Sequence, residues 1–125
     1  TDIHGRVRMY VNGFVLAVPE SNKAAYVDVA KKFWPLAKDF GALSQVECWE
    51  ADVQDGHTTD FRRATKAEDG EKIVFSWVIW PDKATADAAH GKMMEDPRME
   101  EFGDMPFDGK RMIFGGFDAI VEEHA

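Results

Sequence analysis

The chain has 125 residues, 45% hydrophobic and 30% charged, the balance of one globular domain that can bury roughly two thirds of its unfolded surface. Its net charge of −8 disfavours nucleic acid and anionic lipid as partners, because both reward Lys/Arg clusters and the longest basic groups here are pairs. No apolar run approaches the roughly 20 residues needed to span a bilayer, and the single cysteine, Cys48, excludes an internal disulfide and fits a reducing, cytoplasmic setting.

Residues 1–8 are polar and are expected to be a leader or expression remnant, with one domain over 9–122 and a tail at 123–125. Tyr10 to Val18 is rich in β-branched and aromatic residues and stops at Pro19, which predicts the first strand. Ser21 or Asn22 can cap the helix that follows. Its apolar positions Tyr26, Val29, Ala30, Phe33, Ala37 and Phe40 share one face. Pro35 is expected to kink this helix and Gly41 to end it in a left-handed conformation.

Leu43 to Glu50 predicts the second strand, and Asp55-Gly56 a turn. Thr59 to Ala67 is ambiguous between a short helix capped by Thr59 or Asp60 and irregular chain. Glu71 to Trp80 is the clearest strand, ending at Pro81. Asp82 caps a helix running to about Glu95, which Asp96-Pro97 breaks. Arg111 to Phe117 is the last strand.

The order β-α-β-β-α-β predicts an α+β, ferredoxin-like subunit: an antiparallel four-stranded sheet with two helices on one face. Both sheet faces read as apolar. Tyr10, Phe14, Leu16 and Val18 oppose Val11, Val15 and Ala17; Ile73, Phe75, Trp77 and Ile79 oppose Val74, Val78 and Trp80; Met112 and Phe114 oppose Ile113 and Phe117. A soluble monomer rarely leaves such a face bare, so a homodimer packed sheet to sheet is expected, with the non-helical face as its interface.

Few residues point to chemistry. Asp52, Asp55, His57 and Asp60 match no metal-binding spacing, and His4, His57, His90 and His124 lie far apart, so no metal site is expected. No cofactor is expected; haem would have only His90 as an axial candidate. Cys48 reads as a structural thiol facing the helices, which would place Glu47 on the dimer side, where partial desolvation raises a carboxyl pKa toward acid–base use. Glu47 and Asp60 are therefore candidate bases, and Arg62 and Arg111 candidate anion holders; ion pairs that anchor loops are the plainer role for the charged residues other than Glu47. The candidate walls of a ligand pocket are Trp49, Phe75, Trp77, Met94, Phe114, Gly115 and Gly116. The glycine pair would supply strand curvature or room for a small ligand.

Several stretches resemble one bacterial family. They are residues 10–15 (Tyr-Val-Asn-Gly-Phe-Val), 46–49 (Val-Glu-Cys-Trp), 75–77 (Phe-Ser-Trp), 92–99 (Lys-Met-Met-Glu-Asp-Pro-Arg-Met), 105–112 (Met-Pro-Phe-Asp-Gly-Lys-Arg-Met) and 115–117 (Gly-Gly-Phe). The chain is similar, from about Met9 to Glu122, to the YbaA-like family, a domain of unknown function. The resemblance implies the dimeric α+β barrel superfamily, whose members include cofactor-independent monooxygenases, isomerases, haem enzymes and binding proteins. It transfers no activity and no catalytic residue. The sequence therefore leaves two functions open: a protein that binds a small molecule in a sheet pocket, and a cofactor-independent enzyme acting on a small, aromatic substrate.

Overall fold

The computed structural model describes residues 9–125. The expected leader at 1–8 lies outside the described residues. Strand β1 (Tyr10–Pro19) leads through a short 3-10 turn to helix α1 (Lys23–Asp39), then to β2 (Ser44–Trp49), α2 (Phe61–Thr65), β3 (Glu71–Trp80), α3 (Lys83–Glu95) and β4 (Ile113–Asp118). The segment between α3 and β4 carries two 3-10 turns, Pro97–Glu101 and Gly109–Arg111. The four strands form one antiparallel sheet in the order β2-β3-β1-β4, an α+β architecture with the ferredoxin-like element order.

The alternation seen in the sequence sets the two faces. Trp80 donates from its indole nitrogen to Asn12 Oδ1 at 2.8 Å, deep in the core. Trp80 and Val78 pack with Leu36 and Ala37 of α1 and with Ala86, Ala89 and Met93 of α3. Leu16, Val18 and Val74 pack with Tyr26 of α1. The opposite face carries Val11, Gly13 and Val15 of β1, Phe75, Trp77 and Ile79 of β3, and Ile113, Gly115 and Phe117 of β4, which line one shallow concavity of about 560 Å³. Val46, Phe75, Ile113 and Phe117 on this side are exposed.

Three local expectations are resolved. The ambiguous stretch at 59–67 contains α2, capped by Asp60, whose carboxylate accepts from Arg63 N–H at 2.7 Å. This short helix contacts β1, and its Phe61 ring meets Phe75 edge-on, so one end of the second face is covered. Asn22 occupies the N-cap position of α1 without bonding the helix; its amide donates instead to Pro106 O at 3.0 Å. Gly41 follows α1 with φ of 111°, and a Cβ there would press on Thr85 of α3, so the turn and the α1–α3 approach both need glycine. Pro35 lies inside α1, which continues to Asp39.

The glycine pair does not interrupt β4. Gly115 pairs with Gly13 and Gly116 with Asn12 in unbroken register. The close approach is at Gly116, where a Cβ would overlap the Tyr10 side chain.

Candidate functional site

A cavity of about 220 Å³ opens between the sheet, α1 and the segment linking α3 to β4. Its floor is Phe14 and Leu16 of β1 with Ser76 and Val78 of β3; Val29, Ala30 and Phe33 of α1 form one wall. The outer wall is Met99, Phe102, Met105, Phe107 and Met112. These late methionines and phenylalanines follow no helical or strand period, yet the fold gathers them over one spot, and flexible thioethers suit an adaptable lining.

The wall is fastened at several points. Asn22 holds Pro106, as above. Arg98 bridges Asp96 at 3.0 Å and Asp39 of α1 at 2.7 Å. Arg111 grips Glu71 through both guanidinium arms at 2.8 Å, bonds Asp108 at 3.0 Å and donates to Lys66 O. Phe107 packs edge-on against Tyr26 with ring centres 5.8 Å apart.

Polar groups gather where β2 meets α1. The Tyr26 hydroxyl donates to both carboxylate oxygens of Glu47, at 2.8 and 3.0 Å. Ser76, the register partner of Glu47 on β3, is buried beside them. Gln45 donates from Nε2 to Ala30 O at 3.0 Å, and its Oε1 is buried without a partner among the described residues. Tyr26, Ala30, Gln45 and Glu47 border both the inner cavity and an outer groove that also carries Lys31 and Trp34, so this cluster forms the mouth. Glu47 keeps solvent on one side.

Burial raises the Glu47 pKa above the ordinary carboxyl value, and the hydrogen bonds from Tyr26 and Ser76 offset part of that rise. The Tyr26 pKa is pushed far up, first by burial and then by the Glu47 charge. Tyr26 therefore stays protonated and serves as a donor, while Glu47, its pKa raised, is the member of the pair able to take or give a proton. Among the described residues, Ser76 has no His or Lys beside it at the cavity to activate it as a nucleophile.

The sequence candidates scatter. Glu47 is in the cluster but on the helix side of the sheet, against the expectation that it faces away from the helices. The Tyr26 and Ser76 hydroxyls solvate its carboxylate there, and Cys48, its neighbour and the partner of Phe75, takes the opposite face. Asp60 is at the α2 N-cap, Arg62 pairs with Glu50 and Arg111 with Glu71. None of the three lines the cavity. Trp77 borders the cavity and the concavity on the other face; Phe75, Phe114 and Gly115 border only the concavity. Trp49 packs under Lys23 and against the cluster of Leu16, Val18, Tyr26 and Val74, Met94 is exposed on α3, and Gly116 lies under Tyr10. His90 packs edge-on against Trp80 and does not line the cavity. Among the described residues, no group of three His, Cys, Asp or Glu side chains is placed to hold a metal ion, and no helix is long and apolar enough to cross a membrane. The sequence does not single out Tyr26, Gln45 and Ser76 as site residues. The one signal it offers is that Gln45 and Glu47 share a strand face with Trp49.

The family model for a protein of unknown function, DUF1428, matches residues 9–109. The chain belongs to this family. The uncharacterized protein YbaA of Escherichia coli K12 is 61% identical over 115 residues, covering 91% of this chain and 98% of the relative. YbaA proteins of Escherichia coli O157:H7 and Shigella flexneri match to the same extent. Among solved structures, a protein of unknown function from Nitrosomonas europaea, NE2512, aligns over 97% of this chain and 98% of its own, with 11% identity and a TM-score of 0.48.

Proposed function

We propose that this DUF1428 protein is a cytoplasmic, small-molecule-binding homodimer whose ligand occupies the cavity behind Tyr26 and Glu47. The observation that carries the reading is the contrast within the cavity: an apolar lining with polar groups converging at one end. That is the usual build of a small-molecule site, in which the apolar body supplies affinity and a few polar groups fix orientation. The volume, about 220 Å³, suits a single substituted ring or a molecule of similar size.

The dimer reading rests on the second sheet face. Val46, Phe75, Ile113 and Phe117 are exposed together there, beside Val11, Val15, Trp77 and Ile79. Packing two such faces together, as in a dimeric α+β barrel, removes this surface from water and leaves the cavity on the far side of each sheet accessible.

A second reading is a cofactor-independent enzyme of monooxygenase or isomerase type acting on a small aromatic substrate. The raised Glu47 pKa favours it, since a carboxyl tuned upward at a cavity mouth is suited to proton transfer. Native mass spectrometry of freshly purified protein tests both parts of the main reading. Twice the 14.1 kDa chain mass, with a bound small molecule that Leu16→Trp excludes, is the expected result. A monomer at micromolar concentration contradicts the dimer. A retained molecule unaffected by Leu16→Trp contradicts the cavity as its site. Turnover of that molecule, abolished by Glu47→Gln, would favour the enzyme reading.

A further inference from the structure

Among the described residues, the mouth of the cavity presents acceptors on its inner side, where the Tyr26 and Ser76 hydroxyls are already engaged with Glu47. The Ala30 carbonyl can only accept, so the Gln45 amide nitrogen must face it, and Oε1 is turned away, buried and without a partner among the described residues. A buried acceptor without a partner is costly, and a shift of the Gln45 side chain toward the cavity it borders would let a ligand donor relieve it. Glu47 offers further acceptor capacity, since a carboxylate has about four lone-pair sites and Tyr26 supplies one proton. That tyrosine proton is already committed to Glu47.

Charge narrows the choice further. Among the described residues, no Lys, Arg or His lines the inner cavity. Lys31 borders the outer groove, and Lys23 lies over the Trp49 ring at 5.2 Å. A carboxylate ligand would therefore place a second negative charge beside Glu47, against an apolar lining that among the described residues offers it no cation, an arrangement that desolvation penalises.

Building on the reading that this cavity binds a small molecule, we propose that it selects a neutral hydrogen-bond donor on a single-ring apolar body, a phenol or aromatic alcohol, and rejects the corresponding carboxylate. The donor group sits between Gln45 Oε1 and Glu47, and the ring lies against Phe14, Leu16 and the methionine wall.

Calorimetric titration at pH 7 with 4-methylphenol, toluene and 4-methylbenzoate separates the contributions, because the three share one apolar body. The expected result is 4-methylphenol binding about tenfold or more tightly than toluene, the increment of a hydrogen bond to a charged acceptor, with no heat from 4-methylbenzoate at the same concentrations. Gln45→Met and Glu47→Gln should each shrink the phenol preference while keeping toluene affinity, which also reports that the variants are folded. Equal binding of toluene and 4-methylphenol, or binding of 4-methylbenzoate as tight as the phenol, overturns the proposed selectivity and leaves cavity binding standing. Failure of all three to bind at millimolar concentration overturns cavity binding as well.

Discussion

Tyr26 on α1 and Glu47 on β2 are joined by a hydroxyl that reaches both carboxylate oxygens, at 2.8 and 3.0 Å. The pair ties the edge strand to the helix and sets the polarity of the cavity mouth. It also has a thermodynamic sign. Burial raises the Glu47 pKa in the folded protein, so the folded state holds that proton more tightly than the unfolded chain does. The Glu47 contribution is therefore lost as pH rises from the ordinary carboxyl range through the raised folded value.

Glu47→Gln removes that titration. Urea unfolding at several pH values should show the variant gaining stability relative to the parent as pH rises through this window, with the difference level above it. A difference that runs the other way would mean the Tyr26 and Ser76 hydrogen bonds outweigh burial.

Glu71 has the opposite sign. Arg111 holds it with two hydrogen bonds at 2.8 Å, and its pKa is lowered chiefly by that contact. This stability is present above the ordinary carboxyl value and disappears as pH falls through the depressed one. Glu71→Ala leaves Arg111, itself largely shielded, without its main partner and should cost about 3 kcal/mol at neutral pH. The loss should shrink in acid. A cost under about 1 kcal/mol, typical of an exposed pair, would contradict the anchoring role.

Two glycines should respond in opposite directions to alanine. Gly91 lies in α3 with open space where an alanine methyl would sit, so Gly91→Ala should stabilise by about 0.5–1 kcal/mol. Gly116 lies under the Tyr10 side chain, so Gly116→Ala should destabilise by about 1–3 kcal/mol through overpacking. Thermal unfolding of both variants checks the pair; a neutral Gly116→Ala would show that Tyr10 has room to move.

The fold is legible in the sequence because its strands are strongly patterned. The run from Ile73 to Trp80 alternates large apolar side chains on both faces, and Asp82, Asp96-Pro97 and Gly41 punctuate the helices by local chemistry. The cavity is far less legible. Its outer wall, Met99 to Met112, follows no period, and its placement depends on long-range fastenings such as Asn22 to Pro106. The Tyr26–Glu47 pair joins residues 21 positions apart, and the sequence reading puts Glu47 on the wrong face because a strand carboxylate has no local mark of its direction. Asp60, Arg62 and Arg111 draw notice as charges bordering apolar segments; each has a protein partner of its own.

The methionines provide the most direct test of ligand binding in the cavity. Methyl NMR of protein labelled at the methionine methyl groups, titrated with 4-methylphenol, reads the site residue by residue. The account predicts saturable shifts at Met99, Met105 and Met112, which line the cavity, with Met94, exposed on α3, unmoved. Saturable shifts confined to methionines away from the cavity, or no shifts at millimolar ligand, would contradict it.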